Sequence, residues 1–373
     1  MKLNETMTVT LREFVLWFEE LIPPAFQEHY DNSGLQIGDP ASVIDSVLLT
    51  LDVTPEVVAE AAGQGCNLII SHHPLIFTPL RRLTAGSNVE RSVASALKNN
   101  IAVYSAHTSF DNIEHGVSHI LAEKIGLEKV RVLVPLRGRL SKLVTFVPES
   151  HAGRVRDALF AAGAGHTGKY DRCSFNVHGE GTYRAGKGAD PFAGRIGEDH
   201  SEPEVRIEAV IPTHLSDSCV NALMEVHPYE EVAYDLFTLE NEYHGAGTGS
   251  IGVLPSPLSG TGLLALLKEL TGIPCIRYSG DPGRIITTVA LCGGSGSGYA
   301  AAAARAGAEA FITADIKYHA FTDAPPDILM ADIGHYESEK FSLEILYNLI
   351  HKKFPNFALR FSGIKTNPIN YYM

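Results

Sequence analysis

No two cysteines stand close enough together to form a CxxC pair in this 373-residue chain. Its five, Cys66, Cys173, Cys219, Cys275 and Cys292, are odd in number and scattered. That spacing argues against a disulfide framework and a thiolate zinc site, and leaves the cysteines mostly as small core residues. Long apolar runs are missing too, since nothing approaches the roughly 20 residues that span a bilayer. The first residues lack the basic flank and small-residue cleavage site of a secretory leader, so a cytoplasmic protein without membrane contact is expected. Positive charge is in deficit. Thirty Lys and Arg against 43 Asp and Glu give a net charge of -13, which disfavours nucleic acid as a partner. Neither GxxxxGK[ST] nor a well-placed GxGxxG occurs, so the glycine-rich stretch at 292–298 reads as a tight turn rather than a phosphate cradle. No Ser/His/Asp or Cys/His nucleophile arrangement stands out.

What is present is an alternation of short apolar strands with helices. A helix over 11–21 is stopped by Pro23 and Pro24. The Asp, Asn, Ser and Gly of 31–38 are turn formers. Strands are predicted at 47–51, 67–71 and 101–105. Between the first two, Thr54 is a helix N-cap and Pro55 sits at the first helical position, and a helix over 89–98 precedes the third. Such alternation predicts a mostly parallel sheet covered on both faces. The C-terminal part repeats the plan. A shift of 242 residues places Val47 on Val289, Leu49 on Leu291, Gly65 on Gly307 and Ile70 on Ile312, the pattern of an internal duplication.

Between the two halves lies a block of another kind. Strand at 143–148, helix at 152–162, one or two strands at 174–184, strand at 205–211, helix at 216–226 and strand at 232–239 follow the β-α-β-β-α-β order of a ferredoxin-like module. Residues 186–202 form its long surface loop. The joints are expected near 137–142 and 241–249, where Gly245, Gly247 and Gly249 crowd together. The expected fold class is therefore α/β. Two similar halves, 1–140 and 241–373, form one domain, and an α+β domain at 141–240 is inserted between them.

Three strand ends carry metal-ligating side chains. Ile69-Ile70-Ser71-His72-His73-Pro74 delivers two adjacent histidines, His107 precedes Asp111 by four residues, and His335 precedes Glu339 by four. Ligands in such sheets bind beyond the carboxyl ends of the strands, where all three stretches fall. Neighbouring residues of an extended strand point to opposite faces. His72 and His73 therefore require either a bend at the strand end or two different metal ions. Imidazole nitrogen mixed with carboxylate oxygen suits Zn, Fe or Mn better than Ca or Mg, and a set of the type His, His, Asp, His and Glu suits two divalent ions with open positions for water. His115 and His119 are the nearest rival ligands. Asp315, Lys317, Tyr318 and His319, after the strand matching 67–71, could line the same cleft.

The segments 31–38 (DNSGLQIG), 71–77 (SHHPLIF), 107–111 (HTSFD), 313–319 (TADIKYH) and 334–339 (GHYESE) together resemble the Nif-three-like dinuclear metal-centre proteins, many of which are called GTP cyclohydrolase 1 type 2 homologues. The resemblance implies metal ligands at His72, His73, Asp111, His335 and Glu339. It leaves His107 as a pocket residue and candidate catalytic group. It also implies that the central block is a PII-like or CutA-like insert and that the protein assembles into a ring-shaped homohexamer. A hydrolase acting on a small molecule or a nucleotide such as GTP is one implied function. The other is a non-catalytic regulatory oligomer whose insert binds a partner or effector.

Overall fold

Helix Leu11–Leu21 starts at Thr10, whose side chain accepts from the Glu13 N–H while the Glu13 carboxylate caps Thr10 in return. This reciprocal pairing satisfies two backbone donors at once. Its buried face is Leu11, Phe14 and Phe18, spaced for one side of a helix. The structure, a computed structural model, describes residues 8–372. The chain separates into two compact units, one of Met1–Pro135 with His244–Met373, the other of Leu136–Tyr243.

The first unit holds two large sheets. In one, the strands run in the order Ala358–Phe361, Ser46–Thr50, Leu68–Ser71, Ala102–Ser105, Gly34–Ile37. The first four are parallel and the last is antiparallel to its neighbour. In the other, the order is Arg277–Ser279, Leu329–Asp332, Ala310–Thr313, Ile285–Leu291, Glu242–Ser259, Glu128–Arg137. Every residue of Ser46–Thr50, Leu68–Ser71, Ala102–Ser105, Ala310–Thr313 and Leu329–Asp332 is buried. This is why these strands read as continuous rather than alternating apolar runs.

The two sheets repeat one plan. Each has three successive parallel strands, with an earlier antiparallel strand beside the third. The register repeats as well: Val47 lies opposite Leu68 and Leu49 opposite Ile70, and the residues 242 positions later, Val289 with Ala310 and Leu291 with Ile312, are paired likewise.

The second unit has its own apolar core, which includes Leu143, Val155, Leu159, Ile207, Ile211 and Leu223. Its strands are Leu140–Pro148, Phe175–Arg184, Asp199–Pro212 and Tyr234–Leu239. They form an antiparallel sheet in the spatial order fourth, first, third, second, with helices Ala152–Ala161 and Ser216–Val226 in the β-α-β-β-α-β sequence. No helix among the described residues of either unit is long and apolar enough to cross a membrane.

Local structure departs from expectation in places. Residues 34–37 are an edge strand rather than a turn, and a Cβ on Gly38 would meet Leu11 Cδ2 at 2.7 Å. Residues 107–111, after the strand Ala102–Ser105, form one turn of helix. The glycines at 245, 247 and 249 lie inside the strand Glu242–Ser259, where a Cβ on Gly247 would fall 2.2 Å from the Val134 carbonyl oxygen. Gly247 and Gly249 allow a close approach of strands. The surface loop ends early, because Asp199 already pairs with Arg184.

Candidate metal centre

The strand Leu68–Ser71 ends one residue before the histidine pair, and the backbone then bends. The His72 N–H bonds the Thr50 carbonyl at 3.1 Å and the His73 N–H bonds that of Leu51 at 2.9 Å. This bend resolves the choice that strand alternation leaves open. The two rings lie 4.9 Å apart, and both Nε2 atoms approach one carboxylate, that of Glu339, at 3.6 and 3.0 Å.

Glu339 closes the turn of helix His335–Glu339 at the end of the strand Leu329–Asp332. Its Oε1 lies 3.2 Å from His335 Nε2. Asp111, on the opposite half, places Oδ1 3.7 Å from His72 Nε2. The five side chains expected as ligands thus converge on one point, and His72, His73 and Glu339 alone offer donor atoms within 4.8 Å of one another, a group that could hold a metal ion.

The donor chemistry fits cations. Both ring nitrogens of the fully buried His72, and Asp111 Oδ1, are buried without a hydrogen-bond partner. An unpaired buried polar group costs about 1–3 kcal/mol. His73 Nε2 and His335 Nε2 face each other at 3.2 Å.

Carboxylates behind the rings fix their orientation. Asp52 Oδ1 lies 2.8 Å from His73 Nδ1, Asp315 Oδ2 lies 2.7 Å from His335 Nδ1, and Asp31 Oδ1 lies 2.6 Å from His107 Nδ1. A carboxylate on Nδ1 sets the tautomer and turns Nε2 inward. The electrostatics follow. Burial opposes charge on His73, yet Asp52 and Glu339 outweigh it and push the ring up to about 10. His335 rises to about 9 because Glu339 and Asp315 likewise overcome its burial. Burial holds the His72 ring below its ordinary value. Burial and the neighbouring Glu339 charge raise Asp111. Glu339, despite its burial, is held low by the imidazoles of His72, His335 and His73.

His107 stands beside this cluster, its ring 5.6 Å from those of both His72 and His73. With Asp111, Glu339, Tyr30 and Tyr299 it lines a cavity of about 210 Å³. On the His73 and His335 side a second cavity of about 580 Å³ is lined by Asp52, Arg277, Asp315, Tyr336 and Tyr371. The glycine-rich turn serves packing. The N–H groups of Gly293, Gly294 and Gly296 bond the side chains of Ser118, Ser338 and Thr313. Of the residues expected to line the cleft, Asp315 lines the larger cavity, while Lys317, Tyr318 and His319 line neither. His115 and His119 pair with each other at 3.3 Å, outside the cluster.

Asp52 was not singled out by sequence reasoning. The signal was a carboxylate immediately after the strand 47–51, at the same kind of strand end that marks the histidine pair.

The family description Duf34/NIF3 (NGG1p interacting factor 3) matches residues 9–368. A GTP cyclohydrolase 1 type 2 homolog of Bacillus subtilis is 37% identical over 331 residues, 88% of this chain and 89% of that protein. A second of that name, from Staphylococcus epidermidis, is 32% identical over the full length of both chains. Among solved structures, the Bacillus cereus protein related to NIF3 superposes with a TM-score of 0.86 at 35% identity, covering 98% of this chain and 100% of its own. The chain belongs to the Duf34/NIF3 family.

Proposed function

We propose that this protein is a hydrolase that works with two divalent metal ions. The observation that carries this reading is the position of Glu339, one carboxylate within reach of three imidazoles. His72, Asp111 and Glu339 would hold one ion, and His73, His335 and Glu339 the other. Mixed imidazole and carboxylate ligation suits Zn, Fe or Mn. When bound, two such ions supply Lewis acidity and make water acidic enough to act as a nucleophile near neutral pH. His107, in the 210 Å³ cavity beside Asp111 and Glu339, is positioned to move a proton to or from water at the cluster, because Asp31 fixes Nδ1 and leaves Nε2 as the exchanging atom. The 580 Å³ cavity is of the size that takes a small organic molecule.

The name shared by the relatives points to GTP, with hydrolytic opening of the guanine ring and release of formate. Protein loaded with Zn, Fe or Mn in turn and incubated with GTP should release formate. Binding of two ions without turnover by any of the three would remove the cyclohydrolase version and leave the metal centre standing.

A second reading is favoured by the separate core of residues 136–243. In it the ions are structural and residues 141–240, a PII-like or CutA-like insert, bind an effector within a homohexamer. Light scattering of the purified protein tests the assembly. Function in cells that survives deletion of the insert but is lost in His73→Ala would remove this reading.

A further inference from the structure

The last eleven described residues follow the strand Ala358–Phe361, which runs parallel to Ser46–Thr50. Parallel strands leave a sheet at the same edge, so the chain after Phe361 emerges where Asp52 follows Thr50. The Ser362 N–H bonds the Leu49 carbonyl at 2.8 Å, and the Gly363 N–H is held by Glu60 Oε1 at 2.8 Å. From this anchor the Thr366 hydroxyl donates to Asp52 Oδ2 at 2.7 Å. The other oxygen of the same carboxylate takes His73 Nδ1. One residue on, Asn367 Nδ2 donates to Glu337 Oε1 at 2.9 Å, in the turn of helix that carries His335 and Glu339. Ile369 and Tyr371 then form one wall of the 580 Å³ cavity.

We propose that the C-terminal segment is a working part of the metal centre, with Thr366 a positioning residue that fixes His73 through Asp52. The inference rests on the two-ion reading above. A carboxylate with one oxygen held by a hydroxyl cannot rotate freely, so its other oxygen presents a fixed acceptor to Nδ1 and holds the His73 ring with Nε2 toward Glu339. Such supporting contacts influence metal affinity by about 10–100-fold. The effect should fall on the ion held by His73 and His335 and spare the one held by His72 and Asp111, because Thr366 reaches only His73.

The test compares wild-type protein with Thr366→Val, which keeps the shape and loses the hydroxyl, and Thr366→Ser, which keeps the hydroxyl. Zinc titration by calorimetry is read for two successive equivalents, with the melting temperature of the chelated protein as a check on folding. The expected result is about ten-fold weaker binding of one equivalent in Thr366→Val, wild-type affinity for the other, and restoration of both by Thr366→Ser. Two unchanged equivalents in Thr366→Val would overturn the inference and leave the two-ion reading intact, as would equal weakening by Ser and Val. Fewer than two equivalents in the wild type would overturn both. If Thr366→Val melts lower and loses both equivalents together, the segment acts on the fold and the positioning role is wrong. Asp52→Asn is a second measure of the same chain, expected to weaken the same single equivalent at least as much.

Discussion

At the residue scale the centre is set by the carboxylates that stand behind the His73, His335 and His107 rings. His73 and His335, raised to about 10 and about 9 by their carboxylates, carry protons at neutral pH in the metal-free protein. Their folded values lie above the ordinary histidine value near 6.5. The stability they lend to the metal-free form is therefore complete below about pH 6.5 and is lost as pH rises through 9 to 10. A cation needs both rings neutral, so binding displaces protons and strengthens with pH. Zinc affinity should rise by at least about ten-fold from pH 6 to pH 8, with heats that depend on the ionisation enthalpy of the buffer. A flat profile would mean that these rings do not ligate.

Gly294 is equally constrained. Its φ is +62, and a Cβ there would meet Glu339 Oε1 at 2.3 Å. Gly294→Ala should cost about 1–2 kcal/mol for the left-handed backbone and displace the shared carboxylate. Reduced zinc stoichiometry in a folded protein is the measurement.

At the scale of elements, the site is assembled from strand ends and single helical turns. The strands were legible in the sequence because full burial on both faces leaves apolar runs such as Val47 to Leu49 and Leu68 to Ile70. The helix after Thr54 was legible because Thr54 accepts from the Val57 N–H and Pro55 sits at the first position. Thr54→Ala should lower stability by about 1 kcal/mol in urea unfolding without changing zinc stoichiometry. The turn of helix His107–Asp111 was not legible. Five residues show no periodicity, and the entry conformation, with His107 at φ 28, is sustained by Asp31, which holds the His107 ring, the Thr108 N–H and the Thr108 hydroxyl. Residues 34–37 misled for the same reason. Their composition is that of a turn, while their conformation follows from pairing with a distant strand. The candidate ligands could be named in advance because they follow predictable strand ends. The bend that brings His72 and His73 to one carboxylate depends on contacts with Thr50 and Leu51 that no local pattern encodes.

For the whole molecule, a repeated sheet plan supplies the frame and asymmetry supplies the site. Both halves share strand order and register, yet His73 corresponds to Asp315 under the 242-residue shift, and these two now serve as ligand candidate and ring support in one cluster. The central unit leaves and rejoins the chain at neighbouring points, where Arg137 Nη2 and Glu242 Oε1 lie 2.7 Å apart. Replacing residues 138–241 by a short Gly-Ser bridge should therefore preserve zinc stoichiometry. A folded deletion variant that binds no zinc would show that the remaining unit depends on the excised one.

His73 and His335 are 262 residues apart in the chain. An ion held by both acts on the unfolded chain as a removable cross-link closing a loop of that length, a constraint on the order of 5 kcal/mol in the chain-entropy account of cross-links. The two halves would then be tied most firmly in cells well supplied with metal. Starvation would loosen them and expose the chain to proteases, so that metal supply would set the protein's lifetime as well as its chemistry.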